Sequence, residues 1–256
     1  AANTAILEDL EGGVNVIALQ VGGLGLPPTK DALDAALKDV MLDVCPIALI
    51  AGDQAFEAAA ALTAVWNARN IPNGERCGSF GCDPLGTLAM QGSLPEPVEA
   101  ALARAVALTK LALPTPRVAS LTADGVSYHN AGATESQDLA ASMATAVAYL
   151  RAMTDAGLDI DSACRQILFT YAVSCDQFLS ICKLRAAVTQ QIQNLLTGQP
   201  QIITVMRVIG RCQRQCMRQT PPCLCIGVSQ AGASGRSLIP GSYPHPRAHE
   251  TPEQLV

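Results

Sequence analysis

Short apolar runs bounded by Gly or Pro alternate with longer segments of helical period over the first 155 or so residues, and this constrains the fold more than any other feature. Val14-Asn-Val-Ile-Ala-Leu-Gln-Val21 reads as a buried strand, followed by a turn at Gly22-Gly23-Leu24-Gly25 and a helix from Thr29, its N-cap, to Val40. Pro46-Ile-Ala-Leu-Ile-Ala-Gly52 is a second strand and residues 54–69 a second helix. Residues 76–82 and 95–113 give a third pair, and Arg117-Val-Ala-Ser-Leu-Thr-Ala123 is a fourth strand that leads into a helix over 134–155. Strands joined by helical crossovers of this length form a parallel sheet, either doubly wound or rolled into a barrel, and periodicity does not choose between the two. The Gly22–Gly25 turn matches neither G-x-G-x-x-G nor a P-loop, so it reads as a plain βα turn.

At 256 residues, with 49% hydrophobic and only 15% charged residues, the chain can bury a substantial core. A net charge of −5 without a run of Lys or Arg gives no electrostatic case for nucleic acid or an anionic membrane surface. No apolar run reaches the roughly 18 residues that a membrane span needs, and the first residues lack a basic segment leading into an apolar one. The expectation is a cytoplasmic protein. Its ten cysteines read mainly as reduced thiols, with Cys45, Cys164, Cys175 and Cys182 placed in the core by their apolar surroundings.

The pattern breaks after about Ala187. From Pro200 onward the chain has six Arg and no Lys, seven of its 16 Pro, four of its ten Cys, and only Glu250 and Glu253 as acids. No strand or helix period is readable beyond Val208. Residues 1–199 are therefore expected to form the β/α unit and residues 200–256 an irregular or disordered tail; a diverged sequence and a shifted reading frame are both open explanations. Cys212, Cys216, Cys223 and Cys225 lack the paired spacing of zinc sites, and His245 and His249 lie far downstream among prolines, so no metal site is expected there.

One stretch carries specific chemistry. Val126-Ser-Tyr-His-Asn-Ala-Gly-Ala-Thr-Glu-Ser-Gln-Asp-Leu139, with Ala141-Ser-Met-Ala-Thr-Ala-Val-Ala-Tyr-Leu-Arg151, Ala156-Gly-Leu-Asp159, Asp176-Gln-Phe-Leu179 and Lys183-Leu-Arg-Ala-Ala187, resembles the methylmalonyl-CoA mutase family in order and spacing. Ile6-Leu-Glu-Asp-Leu-Glu-Gly12 and Asp83-Pro-Leu-Gly86 resemble its small-subunit branch, and roughly the first three-quarters of the chain is covered. The resemblance implies an α/β fold, a partial TIM (β/α)8-type barrel of parallel strands with about four to five β/α units followed by the tail. After Ala187, the family would continue with an Arg-Arg-Leu-Trp run and further strands, where this chain has Val188-Thr-Gln-Gln-Ile-Gln.

The same resemblance places Tyr128 and His129 at the C-terminal end of a barrel strand, where catalytic chains hold the pair over the thioester and the adenosyl group. A neutral imidazole there can donate to a carbonyl that gains charge. Catalytic chains carry Gly-Thr-Ile-Gln-Asn-Asp at the third strand and an Arg ten residues after that Gln. This chain has Gly78-Ser-Phe-Gly-Cys-Asp83, with Gly81 at the Gln position and Gln91 at the Arg position. Gln cannot pair bidentately with a carboxylate as a guanidinium does. Asp83 and Gln91 are then the remaining substrate-side positions, and Tyr128–His129 is expected to be vestigial.

The family's cobalt-ligating Asp-x-His-x-x-Gly is absent from these residues, so no residue here is expected to bind the cofactor. The reading implied is a structural small subunit of a heterodimer whose large catalytic partner holds adenosylcobalamin and the acyl-CoA, and interconverts (R)-methylmalonyl-CoA and succinyl-CoA. The alternative is a substrate-binding catalytic barrel completed by a separate cobalamin-binding chain. A hydrolase using Cys82 and His129 has no orienting third group in the sequence.

Overall fold

The computed structural model describes residues 2–23, 25–173 and 176–196, together with the backbone of 209–212 and 223–225. Five parallel strands carry the architecture: β1 (Ile17–Gln20), β2 (Ile47–Ile50), β3 (Cys77–Cys82), β4 (Arg117–Asp124) and β5 (Ile167–Val173). They lie side by side in chain order, so each crossover moves the chain in the same direction across the sheet. A doubly wound sheet would reverse direction partway. The sheet curls into half a barrel with helices between its strands, which settles the choice that periodicity leaves open.

Two short strands extend the edges. β6 (Ile209–Cys212) adds parallel to β5, and β7 (Cys223–Cys225) adds antiparallel to β1. Both fall in the stretch where the sequence shows no period, and runs of four and three residues are too short to display one. The rest of that stretch, and the side chains of its four cysteines, lie outside the described residues.

Helix α1 (Ala2–Glu11) precedes β1, and α2 (Lys30–Ala36) and α3 (Ala55–Ala68) flank β2. Thr29 is the N-cap of α2, its hydroxyl accepting from Ala32 N at 3.4 Å. After β3 come α4 (Pro84–Gln91) and α5 (Val98–Ala112); after β4, α6 (Val126–Asn130) and α7 (Glu135–Asp155). Then α8 (Ile160–Arg165) leads into β5, and α9 (Gln177–Leu196) follows it. The cap of α7 is a reciprocal box: Gln137 N donates to the Thr134 hydroxyl and Thr134 N donates to Gln137 Oε1.

Strand alternation sorts the side chains. Ile17, Leu19, Ile47 and Leu49 join Leu33, Leu37, Leu62 and Trp66 beneath α2 and α3, while Val16, Ala18, Ala48 and Leu168 form a separate apolar cluster. Tyr149, Met153, Ile167, Phe169 and Tyr171 fill the core around β4, β5 and α7.

Pairing between β3 and β4 shifts between Ser79 and Cys82. Gly81 lies in this irregularity with φ +67°, and a Cβ there would run into the Leu49 carbonyl oxygen. The glycine is thus required by a close backbone approach as well as by its left-handed conformation.

Cys45 and Cys164 are buried as expected, but Cys182 is exposed. α9 turns Ser180, Lys183 and Ala187 inward, and Cys182 falls on the opposite side. Cys175 lies outside the described residues. Burial pushes the Cys45 and Cys164 thiols up to about 11, consistent with unreactive core groups. Among the described residues no helix is long and apolar enough to cross a membrane.

Candidate functional site

The site lies where β3, β4 and β5 end, the rim at which β/α barrels gather their functional groups. At the end of β4 the chain makes a short turn at Asp124–Gly125 and enters α6, five residues that carry Tyr128 and His129. A helix of that length does not hold itself. Its first residues are held by Asp124, whose Oδ1 accepts from Val126 N (3.2 Å) and from the Thr170 hydroxyl, and whose Oδ2 accepts from the Ser127 hydroxyl (3.1 Å). Gly125 N donates to Thr170 O at 2.9 Å, and a Cβ on Gly125 would strike the Asp138 carboxylate. Glycine is needed there for clearance.

Tyr128 and His129 are both half-buried at the rim. The Tyr128 hydroxyl is 3.2 Å from Thr145 Oγ1 on α7. His129 Nδ1 is buried with no hydrogen-bond partner among the described residues. The imidazole belongs to a cluster with Glu135 and Asp138, one potential ligand atom from each lying within 4.8 Å of the others. Lys183, from α9, reaches into this cluster: Nζ donates to Asp138 Oδ2 at 2.7 Å and pairs with Glu135 Oε2. Its side chain is 1% exposed and that of Asp138 is 0% exposed. Burial raises the Asp138 carboxyl above its ordinary range, while the hydrogen bond and charge of Lys183 pull it back. The three residues have metal-ligand chemistry, but an ammonium already sits on both carboxylates, so the arrangement is that of an ion cluster with its own cation.

Asp83 occupies the neighbouring strand end and is 7% exposed. It is the N-cap of α4, ahead of Pro84, with Oδ1 accepting from Gly86 N (2.8 Å) and from the Tyr149 hydroxyl, and Oδ2 accepting from Asp124 N (3.1 Å). Leu85 N in turn donates to the Tyr149 oxygen at 3.1 Å. Desolvation pushes Asp83 up to about 7 against the hydrogen bonds from Tyr149 and Gly86 that favour its ionised form. Burial and the nearby Asp83 carboxylate likewise raise Tyr149.

Gln91 is not part of this assembly. It is the last residue of α4, exposed, immediately before the left-handed Gly92 that ends the helix. Cys82 borders the site with its thiol pushed up to about 12 by burial and by Asp83, so it lacks the thiolate that a nucleophilic cysteine needs. The structure thus brings Tyr128 and His129 to one rim with Asp83, leaves Gln91 apart, and adds Asp124, Glu135, Asp138, Tyr149, Thr170 and Lys183. One sequence signal for the additions was available: Asp138, Ser142, Thr145 and Tyr149 form a polar stripe at helical spacing along α7, all buried.

A half-barrel of parallel strands with a Tyr-His pair at the C-terminal end of its fourth strand defines the class of protein to compare. The family model of methylmalonyl-CoA mutase matches residues 17–194. The methylmalonyl-CoA mutase small subunit of Streptomyces virginiae is 43% identical over 185 residues, and that of Propionibacterium freudenreichii subsp. shermanii is 35% identical over 182. These matches cover 72% and 71% of the chain and 29% and 28% of the relatives. The chain thus spans less than a third of the length of those relatives. The large subunit of Streptomyces virginiae is 40% identical over only 72 residues, 28% of this chain and 10% of that protein. The chain belongs to the methylmalonyl-CoA mutase family.

Proposed function

We propose that the chain is a small-subunit-like, structural component of an adenosylcobalamin-dependent methylmalonyl-CoA mutase, paired in a cytoplasmic heterodimer with a large subunit that performs the interconversion of (R)-methylmalonyl-CoA and succinyl-CoA. The observation that carries this reading is the backbone at Gly81. Where a catalytic chain is expected to present a substrate-holding Gln, this chain has a left-handed residue packed against Leu49 O, and a side chain there requires the strand to move. The exposed Gln91 and the longer matches to small subunits support the same assignment.

Adenosylcobalamin supplies a carbon radical by Co–C homolysis. The residues of this chain do not fit its lower ligand: the Asp-x-His-x-x-Gly pattern is absent, and His129 sits in the cluster of Glu135, Asp138 and Lys183. In this reading the cofactor is held by the partner, and the chain contributes interface and support. The retained Tyr128–His129 pair is what favours the alternative, a catalytic barrel completed by a separate cobalamin-binding chain.

Purified alone, the chain is expected neither to bind adenosylcobalamin nor to isomerise methylmalonyl-CoA; turnover by the isolated chain with added cofactor overturns the reading. In a complex reconstituted with a large subunit, His129→Ala is expected to alter assembly more than rate. A rate loss beyond about a hundredfold with assembly intact would assign His129 to the chemistry instead.

A further inference from the structure

We propose that Asp83 and Asp124 are positioning residues: a hydrogen-bond relay running from Tyr149 through Asp83 to Asp124 fixes α6, and with it the orientation of Tyr128 and His129. The assignment rests on where each carboxylate oxygen is used. Asp83 accepts from Gly86 N and the Tyr149 hydroxyl on one oxygen and from Asp124 N on the other. Asp124 accepts from Val126 N, the Ser127 hydroxyl and the Thr170 hydroxyl. Both oxygens of both side chains therefore have donors within the protein, and Asp83 is buried. This is the opposite of a group held ready for substrate, and Asp83 moves from substrate contact to support.

The relay joins elements that are far apart in sequence. Tyr149 lies 66 residues from Asp83, Asp83 lies 41 from Asp124, and Thr170 lies 46 from Asp124. It ties β3, β4, β5, α4 and α7 to the first turn of α6, which is too short to fix its own direction. His129 N bonds back to Gly125 O at 3.0 Å, so a rotation of that first turn is passed to the imidazole. The role is independent of whether the Tyr128–His129 pair performs chemistry.

The test is the ring resonance of His129 in a proton–carbon correlation NMR spectrum of the full chain, assigned among the three histidines by its loss in His129→Gln. Asp83→Asn presents an amide donor to either Asp124 N–H or Gly86 N–H, and Tyr149→Phe removes one hydroxyl. Both are expected to move the His129 resonance by more than its linewidth, and in Asp83→Asn whichever amide loses its acceptor, Asp124 or Gly86, should exchange about tenfold faster, the effect of one lost hydrogen bond. Asp124→Ala is expected to move the resonance furthest. Asp124→Asn keeps an acceptor for Val126 N and a group that can donate to Ser127 Oγ, and so stays closer to the parent. Thr109→Val is the control: it removes the buried 2.8 Å contact between Thr109 and Ser120, outside the relay, and should leave His129 in place. The proposal is overturned if His129 is unmoved in folded Tyr149→Phe and Asp83→Asn, or if Thr109→Val moves it as far. Should Asp83→Asn fail to fold, Tyr149→Phe decides.

Discussion

Between β1, β2 and the helices that cover them, the space is filled by Ile17, Leu19, Leu33, Leu37, Leu62 and Trp66; between β4, β5 and α7 it is shared by Tyr149, Phe169 and Tyr171 with buried Asp138, Ser142, Thr145 and Lys183. The first region is held by apolar area, which is non-directional and tolerates small shifts. The second places charges in a low-dielectric interior, where they are costly unless paired, and in return their hydrogen bonds fix geometry. The residues that the family resemblance singles out sit on the second kind of support. Position at the rim is thus secured by polar bonds set into an apolar core, whereas the first region rests chiefly on apolar area.

The largest effect should come from the apolar half. Trp66 is fully buried, tilted against Phe80 at a centroid distance of 6.1 Å and with the Arg76 guanidinium 5.9 Å from its ring. Trp66→Ala should destabilise the chain by about 3–5 kcal/mol in urea melts. Lys183→Ala should approach this, about 3–5 kcal/mol, because it leaves Asp138 buried without its cation. The two differ in how they are rescued. Adding Asp138→Leu to Lys183→Met should recover part of the loss, since it removes the stranded charge, whereas an apolar neighbour should not refill the Trp66 cavity as well. Equal rescue at both sites would erase the distinction between the halves.

A smaller effect is pH-dependent and belongs to the polar half. Asp83 is pushed up from 3.8 to about 7, so between those values the folded chain retains a proton that the unfolded chain has lost. Its contribution is then most favourable below the unfolded value, falls as pH rises through that window, and levels off above about 7. Denaturation midpoints of the parent should decline across the window more steeply than those of Asp83→Asn. Parallel curves would show that Asp83 titrates normally.

Thiol access sharpens the contrast without altering stability. Under native conditions Cys182 should react with a thiol reagent, and Cys45, Cys77 and Cys164 should not. Protection of Cys182 would mean that another surface covers α9.

How much of this was legible depended on the range of the signal. Strands β1, β2 and β4 announce themselves as apolar runs, and Thr29 as an N-cap, because these are local patterns. The barrel rather than doubly wound sense is not a local property, and it came through the family resemblance instead. The rim position of Tyr128–His129 came through the motif. Asp83 came through the motif as a substrate-side position; its role as the cap of α4 emerges with the fold, and its bond to Tyr149 spans 66 residues, farther than any spacing rule reaches. Lys183 was the least accessible: lysines are rarely buried, and its partners are 45 and 48 residues upstream.

The smallest effect compares one device used in both halves. Thr29 caps α2 and Thr134 caps α7, each hydroxyl accepting an N–H three residues on at 3.4 Å. Both Thr→Ala changes should cost about 1 kcal/mol. If caps act only locally, the two losses are equal and neither moves the site. α7, however, carries Asp138 and Tyr149, and Thr134 N also donates to Gln137 Oε1, the reciprocal bond that completes its box. Fraying of the first turn of α7 loosens Glu135 and Asp138 before anything else, because both lie within four residues of the cap. Thr134→Ala should therefore displace the His129 ring resonance slightly, while Thr29→Ala leaves it in place. Identical spectra for the two would mean that Lys183 alone keeps the carboxylates in position.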